Sequence, residues 1–526
     1  MTIDLAVIAL YLSGMVALGW WGMRRTRDKS DYLVAGRRLG PFMYSGTMAA
    51  VVLGGASTIG GVGLGYTYGL SGAWMVGAIG VGIILLHAFF ARRISRLRVY
   101  TVAQMLDLRY GGNSRAVSGL VMWGYTFMLT VPSTLAFSTV FSGLFDMPRA
   151  FAIILGGAIV VTYSTLGGMW SVTLTDMAQF LIKTFGLLLI LTPVAVWHAG
   201  GLSGMREALG PGHFAPFTIG GGTIFTYFLI YALGILIGQD IWQRVFTGRN
   251  DATVTGGGLG AGVYCLIYAV AGALIGTAAA VLFPGLDNPD DAFSLIVADT
   301  LPAGLAGLVL AAALSAVMST ASGALIACSA VTSTDLLPEV RRLWRRGAPS
   351  GASAADGATG GATEGERDEV ASNRVTTLVL GAGTIAVSLL VDDVVAGLTV
   401  AYNILVGGLL VAILGGLVWR RGTRPGALAS MLVGAATVIA TMAVKGMLAN
   451  EAIYYGLGAS LAAYIVVSLA TRPTAPSVLD AWQRRVRGEP DADAAADAGA
   501  ASTRDPGPDS PTADRTTPVG SDEGAG

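Results

Sequence analysis

Long apolar runs recur along nearly the whole chain and constrain its fold more than any other feature. A helix needs about 20 residues to cross the hydrocarbon core of a bilayer, and thirteen runs are candidates for such a crossing. Only 13% of the residues are charged, whereas soluble domains carry about a quarter. We therefore predict an all-α membrane protein with about thirteen transmembrane helices. The runs centre on residues 5–22, 42–66, 74–90, 120–135, 150–163, 177–197, 225–246, 260–282, 305–329, 376–391, 397–417, 427–443 and 455–470.

The distribution of basic residues between the loops predicts the orientation. Lys and Arg concentrate in the first, third, seventh, ninth and eleventh loops, with Arg109 in the third and Arg244 in the seventh, while even-numbered loops carry almost none. Cytoplasmic loops attract positive charge. The first run follows the uncharged-to-acidic start MTID, which is unlike a signal peptide. We therefore expect a retained first helix, an N-terminus outside and a C-terminus in the cytoplasm of a cell-membrane protein.

Several classes of function find no support in the sequence. The chain has 33 basic and 33 acidic residues, a balance that does not indicate a nucleic-acid partner. No GxxxxGK[ST] motif is present, which disfavours primary active transport. His87, His198 and His213 share no helical face, and the two cysteines lack metal-ligand spacing. We therefore expect neither an enzyme nor a transition-metal site.

One apolar run is unusually rich in glycine. The stretch "VVLGGASTIGGVGLGYTYG", residues 51–69, has six glycines between positions 54 and 65. A broken membrane helix is tolerated where protein or a water-filled cavity satisfies its backbone, and in secondary transporters such breaks form ion and substrate sites. Close packing of helices through small residues explains the same glycines equally well. The stretch alone leaves both interpretations open.

A second run, "AAALSAVMSTASGALIACSAVTSTDLL" at residues 311–337, is crowded with hydroxyl groups. Ala316, Ser319 and Thr320 stand at i, i+3 and i+4, so one helical face presents a carbonyl and two hydroxyls together. Sodium is a hard cation that prefers several oxygen ligands. The alternative is that these hydroxyls bond to their own helix or across an interface.

Taken in order, six stretches make the chain similar to the solute:sodium symporter family over residues 31–443. They are "DYLVAGRRLGPF" with "GGASTIGG", "YSTLGGMWSVTLTDMAQ", "GQDIWQRVFTGRN", "MSTASGALIACSAVTSTDLL" and "LLVAILGGLVWRRGTRPGALASMLVG". The resemblance implies a leucine-transporter-like core of two five-helix inverted repeats, with discontinuous second and seventh helices.

This resemblance also implies the domain organisation. An extra N-terminal helix with a basic loop occupies residues 1–30 and the first repeat residues 31–198. The second repeat occupies residues 222–420, and two further helices residues 421–470. Independently of the resemblance, the Ala-, Gly-, Asp- and Ser-rich composition of residues 347–372 and 471–526 predicts disordered cytoplasmic segments.

The sodium ligands that the resemblance implies come from both stretches. They are the carbonyls of Ala56 and Ile59, the carbonyl of Ala316, and the hydroxyls of Ser319 and Thr320. Some relatives bind a second sodium, for which this chain offers Asp176 and Ser322. The next position used in those relatives is Gly323 here, which supplies no oxygen. Asp176 also lies near a predicted helix start, where a solvated cap is an alternative.

The resemblance implies solute contacts beside the expected sodium ligands and on the seventh span. Thr58 stands between the two carbonyl ligands, where proline transporters carry Asp, and Tyr231 stands where galactose transporters carry Asn. The position that holds a gating aromatic in the galactose transporters is occupied by Gly234 in this chain. The arginine that sialic-acid transporters carry in the fourth span is missing here. No specific solute is therefore indicated. The expected solute contacts are Thr58, Gly60, Gly61, Tyr231, Tyr402 and Asn403. For Tyr402 and Asn403, which lie in the eleventh span, an interfacial aromatic with a satisfied amide is an equal alternative.

The function we predict is sodium-coupled symport of a small polar organic solute, such as an amino acid, a carboxylate or a vitamin-like compound, by alternating access. The coupling ion is Na⁺, the surroundings are a lipid bilayer, and each chain encloses its own site, so a monomer is expected to function. A membrane sensor built on the same scaffold and a sodium channel are the alternatives.

Overall fold

The computed structural model describes residues 2–145, 147–347, 362–390, 394–447 and 449–489. Within these ranges the chain is helical throughout, and its one β-type feature is an isolated parallel bridge between Leu39 and Gly248. Helices satisfy every backbone polar group within a single segment, which is the condition for crossing hydrocarbon. The prediction of an all-α membrane architecture is confirmed.

The described residues up to 209 form eleven α-helices. They are α1 (Thr2–Met23), α2 (Lys29–Val34), α3 (Pro41–Val52), α4 (Gly61–Tyr68), α5 (Trp74–Leu85), α6 (Ala91–Arg96), α7 (Val102–Tyr110), α8 (Ser114–Phe145), α9 (Arg149–Lys183), α10 (Thr192–His198) and α11 (Gly201–Leu209). Short 3₁₀ segments lie at Ala35–Arg37 and Gly69–Ala73, and π-helical turns at Ala56–Gly60, Leu86–Phe90 and Thr184–Leu191.

From residue 221 onwards the described part of the chain forms twelve further α-helices. They are α12 (Gly221–Tyr227), α13 (Leu233–Ile235), α14 (Gln239–Val245), α15 (Asp251–Leu282), α16 (Asp291–Thr300), α17 (Leu305–Val331), α18 (Leu337–Gly347), α19 (Ala362–Ser388), α20 (Val394–Val418), α21 (Arg424–Lys445), α22 (Glu451–Ala470) and α23 (Pro476–Arg487). A 3₁₀ segment at Pro211–Phe214 precedes them, and π-helical turns lie at Phe228–Ala232 and Thr332–Leu336.

Ten helical segments in the described ranges are long and apolar enough to cross a membrane, and a bent pair makes eleven. Two of the ten, Ala56–Arg96 with 41 residues and Arg149–His198 with 50, are about twice the length of one crossing. Each of these two contains parts of two predicted spans. The second is kinked at Gly168, whose φ of 56° and ψ of −135° lie outside the helical region. The count of thirteen stays a prediction.

The helices differ greatly in how much of their surface the protein covers. The most apolar window of Leu305–Arg342 is 94% buried, against 28% for Thr2–Met23. α17 therefore runs through the centre of the molecule, whereas α1 lies at its periphery. α1 packs against α9 and α17, and the Tyr11 hydroxyl lies 3.2 Å from the Met318 sulfur.

Two of the predicted spans are interrupted. The second span breaks between α3 and the π-helical turn Ala56–Gly60. The seventh span breaks between α13 and α14, where the chain bends by 48°. The expectation of discontinuous second and seventh helices agrees with these breaks. Their relation by an inverted repeat, and the domain boundaries that follow from it, remain predictions.

The expectation of disorder is wrong for part of each segment to which it was applied. Residues 362–372 form the start of α19, which continues into a predicted span. Residues 476–487 form α23, because Leu479, Trp482 and Val486 recur at helical spacing and Trp482 is buried against the rest of the protein. Residues 348–361 and 490–526 lie outside the described ranges.

Two arginines that supported the predicted orientation are not free loop charges. Arg109 is buried and donates to the carbonyls of Gly416, Trp419, Arg420 and Gly422. Arg244 is completely buried in α14. Both serve internal contacts, so the loop-charge argument rests on the other basic residues, and the orientation of the termini remains a prediction.

Candidate functional site

The break in the second span lies just before the residues that the sequence singled out. α3 ends at Val52, and Leu53 leaves the helical conformation with φ of −96° and ψ of 70°. The chain becomes helical again from Gly55, and the amide of Thr58 donates to the carbonyl of Gly54 at 3.0 Å. A helix end leaves its last carbonyls without intrahelical partners. The end of α3 therefore presents carbonyl oxygens that can accept hydrogen bonds from side chains in the interior of the protein.

Glycine at the break permits a very close approach to α17. A Cβ atom on Gly54 would stand 2.4 Å from the Thr320 hydroxyl, and one on Gly55 would stand 3.1 Å from Val317 and 3.2 Å from Ala136. Such distances are below van der Waals contact, so a larger residue at position 54 would push the two helices apart. The two interpretations of the glycine run, close packing and an interrupted helix, both apply here.

The hydroxyl face of α17 is turned toward the end of α3. Ser319 Oγ donates to the carbonyl of Ala50 at 2.7 Å and lies 3.0 Å from the carbonyl of Ala316. Thr320 Oγ1 lies 2.8 Å from the carbonyl of Val51. Ser319 has no exposed surface. The structure thus brings together Ala316, Ser319 and Thr320, as their spacing predicts, and places them against the helix break.

Of the two carbonyl ligands expected beyond the break, Ala56 lies at a cavity and Ile59 does not. Ala56 lines a cavity that Thr320 also lines, and its carbonyl accepts from the amide of Gly61. A carbonyl oxygen has two lone pairs, so this bond leaves one acceptor site. Ile59 is buried one turn further along and is not among the residues that line this cavity.

A lysine ammonium lies among the oxygens at the end of α3. Lys183 Nζ, on α9, donates to the carbonyls of Ala50 at 2.9 Å and Leu53 at 3.0 Å. It also lies 3.3 Å from Ser319 Oγ. The side chain is completely buried. A positive charge is favoured at this position because the carboxyl end of a helix carries partial negative charge.

Asp176 takes part in a buried ion pair. Its Oδ2 accepts from Nη2 of Arg244 at 3.0 Å and from the hydroxyl of Thr47 at 2.6 Å, and neither charged side chain has exposed surface. Ser322 donates to the carbonyl of Ser319 within α17. A Cβ on Gly323 would lie 2.8 Å from Arg244. The missing side chain at position 323 therefore makes room for the guanidinium group.

The cavity beside the break is small and partly open. Its volume is about 40 Å³, which accommodates a few water molecules and no larger solute. Asp240 is the one charged residue among the described residues that line it. The lining is Val51, Val52, Gly54, Gly55, Ala56, Ser57, Ile79, Leu129, Pro132, Ser133, Ala136, Tyr231, Asp240, Thr320, Leu398 and Tyr402.

Aromatic rings close one side of this cavity. Tyr231 and Tyr402 meet edge to face with ring centres 5.6 Å apart, and the ring centres of Tyr125 and Tyr402 are also 5.6 Å apart. A Cβ on Gly234 would stand 2.4 Å from the Tyr402 ring. The space that a larger residue at 234 would occupy is therefore filled by an aromatic ring from α20.

The remaining expected solute contacts do not line the cavity. Thr58 Oγ1 lies 2.7 Å from the hydroxyl of Tyr268 on α15, and both groups are buried. Gly60 and Gly61 lie in the helix beyond the break, and Asn403 is buried on α20 beside Tyr402. Of the six expected contacts, the structure brings Tyr231 and Tyr402 to the cavity.

Lys183, Asp240 and Arg244 are not among the site residues that the sequence predicts. Lys183 and Asp240 lie within predicted spans, where an ionisable residue is a candidate functional group. That signal was present in the sequence, but their partners are carbonyl and hydroxyl oxygens from distant segments. Arg244 lies at the end of its run, where a charge is ordinarily solvated, and nothing local indicated its ion pair with Asp176.

Comparison with known proteins supports the same kind of transporter. The model of the sodium:solute symporter family matches residues 32–434. The osmoregulated proline transporter of Bacillus subtilis is 27% identical over 500 residues, covering 90% of this chain and 96% of the relative. The sodium/proline symporter of Salmonella typhimurium is 27% identical over 467 residues, covering 83% and 87% of the two chains.

Solved structures support the fold. A sodium-coupled sialic acid symporter in a substrate-bound, outward-open state superposes with a TM-score of 0.76 at 18% identity, covering 90% of this chain and 98% of that one. Mhp1, a nucleobase-cation-symport-1 family transporter in a closed conformation, gives a TM-score of 0.50 at 15% identity, with 88% and 99% covered.

Proposed function

The chain belongs to the sodium:solute symporter family, and from this premise we propose that it imports a small polar organic solute with sodium by alternating access. Members of this family are transporters embedded in membranes, and sodium is the coupling ion. The observation that carries the proposal is the convergence of the Ser319 and Thr320 hydroxyls on the carbonyl end of the interrupted second span.

We propose that sodium binds between the second span and α17. Its ligands would be the carbonyls of Ala56, Ile59 and Ala316 with the hydroxyls of Ser319 and Thr320. Neutral oxygens suffice for weak and reversible cation binding. The cavity shared by Ala56 and Thr320 supports this assignment, as does the free lone pair on the Ala56 carbonyl.

A second sodium at Asp176 and Ser322 remains a prediction. The Arg244 guanidinium already supplies a positive charge to Asp176, and Gly323 leaves it the necessary space. These contacts favour the interpretation that the Arg244 guanidinium neutralises Asp176 in place of a second sodium ion.

For the solute, we propose a compound with a protonated amine, such as an amino acid. The named transporters among the relatives carry proline, but Thr58 replaces the Asp that proline transporters have at this position. In this chain a carboxylate reaches the cavity from Asp240, on the other interrupted span. Tyr231 and Tyr402 would pack against the solute, and the cavity must widen from about 40 Å³ to admit it.

The test uses purified protein in proteoliposomes and in detergent. A thermal-stability screen against amino acids, monocarboxylates, vitamins and polyols, in sodium and in potassium, identifies the solute because ligands stabilise the state that they bind. We expect an amine-bearing solute to stabilise the protein in sodium alone. Uptake and counterflow of that labelled solute should then follow the sodium gradient.

Binding coupling provides an independent check. Sodium should increase solute affinity by the same factor by which the solute increases sodium affinity, because coupling between two binding equilibria is reciprocal. Sodium and solute affinities that are independent of each other, together with uptake that ignores the sodium gradient, would reject the proposal. Conductance without counterflow would indicate a channel.

A further inference from the structure

We propose that Lys183 is a tethered cation that competes with sodium. In the absence of the ion its ammonium group takes oxygens at the sodium site, and it must leave before sodium can bind. This inference rests on the proposed function, since it takes Ser319 as a sodium ligand.

The first support is the kind of atoms that surround the ammonium group. Lys183 Nζ contacts the carbonyl oxygens of Ala50 and Leu53 and the hydroxyl oxygen of Ser319, at 2.9, 3.0 and 3.3 Å. An ammonium group has three N–H donors, and three neutral oxygens receive them. Two backbone carbonyls and a serine hydroxyl are also a typical part of a sodium coordination shell.

The second support is the absence of a carboxylate at the ammonium group. In the described ranges no Asp or Glu oxygen lies within ion-pair distance of Lys183, although the side chain is completely buried. Buried charges are normally paired. Here the end of α3, with its partial negative charge and its carbonyl oxygens, takes the place of the counter-ion. A site that stabilises a lone buried ammonium without a counter-ion is equally suited to a lone alkali ion.

The two cations exclude each other. Ser319 Oγ contacts both the ammonium and the carbonyl of Ala50, so a sodium ion bound to the same hydroxyl would be the immediate neighbour of Nζ. The sodium ion and the ammonium group, both in contact with one hydroxyl oxygen, would repel each other strongly in a region of low dielectric constant. Sodium therefore binds only after the ammonium has moved.

The structure offers a place for the displaced ammonium. Asp176 lies two helical turns before Lys183 on the same continuous helix, and its Oδ1 is buried without a hydrogen-bond partner in the described ranges. Side chains on a helix lean toward its N-terminus, which directs Lys183 to this oxygen. Movement of the ammonium group to Asp176 would remove its hydrogen bonds to the carbonyls of Ala50 and Leu53 at the helix break. Sodium binding and rearrangement of the break would then occur together.

The test is the sodium affinity of the full-length purified protein, measured as sodium-dependent thermal stabilisation without solute. Choline chloride keeps the ionic strength constant. Lys183→Met removes the charge at similar length, and Lys183→Gln keeps a donor for the carbonyls in case the first variant is unstable. Lys183→Arg retains the charge, and Lys445→Met removes an exposed lysine as the matched control.

We expect the Met and Gln variants to reach half-maximal stabilisation at a sodium concentration at least about tenfold below that of the wild type, while K183R and K445M stay near it. Equal or weaker sodium affinity in both neutral variants would overturn the inference and leave the proposed function standing. A response in the neutral variants with none in the wild type would support the inference and reject sodium coupling. No response in any variant would reject both.

Discussion

Nη2 of Arg244 lies 3.0 Å from Oδ2 of Asp176, and neither side chain has any exposed surface. The pair joins α9 to α14, and thus links the first half of the chain to the interrupted seventh span. Arg244 also donates to the carbonyl of Asp240, whose side chain reaches the cavity. Because both charges are buried, this network is expected to be sensitive to the loss of either partner.

Replacing Asp176 by Asn should destabilise the protein by about 3–5 kcal/mol, because the Arg244 charge would remain buried without a partner. Arg244→Gln should have a similar effect, and the double variant should lose less than the two single losses combined. Thermal unfolding in detergent, without sodium, measures this. If D176N kept wild-type stability in potassium and lost only its response to sodium, Asp176 would be a sodium ligand instead.

Removing both hydroxyls with Ser319→Ala and Thr320→Ala should raise the sodium concentration for half-maximal uptake by at least about tenfold, equivalent to about 1.4 kcal/mol. The reason is the loss of two of the proposed ligands. Sodium-dependent uptake in proteoliposomes measures the change, at equal protein content. Ser315→Ala is the control, since its hydroxyl bonds to Ala311 on the same helix. Unchanged sodium dependence in the double variant would contradict the assignment.

A methyl group at the break, introduced by Gly54→Ala, should reduce uptake strongly. It would stand 2.4 Å from Thr320 Oγ1 and force α17 away, and overpacking of this kind costs about 1–3 kcal/mol. Gly124→Ala is the matched control, because a Cβ there meets nothing within 4 Å. Initial uptake rate and thermal stability are the measurements. Similar behaviour of the two variants would show that the close approach is unimportant.

Neutralising the cavity with Asp240→Asn should weaken solute binding by about tenfold and leave sodium binding in the absence of solute intact. The expected loss follows from removal of the charge that faces the amine, since hydrogen bonds between charged groups contribute about 1.5–3 kcal/mol. Solute titrations at saturating sodium measure it, and the surface variant Asp251→Asn serves as the control. A solute affinity that does not change would place the amine elsewhere.

The helical architecture could be predicted from the sequence because the apolar runs determine it directly. The hydroxyl face of α17 was also predictable, since Ser319 and Thr320 follow Ala316 at helical spacing. The exact position of the break was not. Gly54 and Gly55 show only that the helix is weak there, whereas the structure ends α3 at Val52 and winds Ala56 into a π-helical turn.

The charged contacts could not be predicted because they join residues far apart in the sequence. Lys183 meets the end of α3 about 130 residues earlier, and Arg244 meets Asp176 across 68 residues. Periodicity describes which residues share a face of one helix, but not which faces of two helices meet. The same limit applies to Thr58, whose partner Tyr268 lies 210 residues away.

The ring of Tyr402 fills the space left by Gly234, so one wall of the cavity is assembled from two helices that lie far apart in the sequence. In a chimera that takes only one of these two helices from a relative, the space between positions 234 and 402 would therefore hold either two bulky side chains or none. Transferring solute preference between members of the family will require α13 and α20 to be exchanged as a unit.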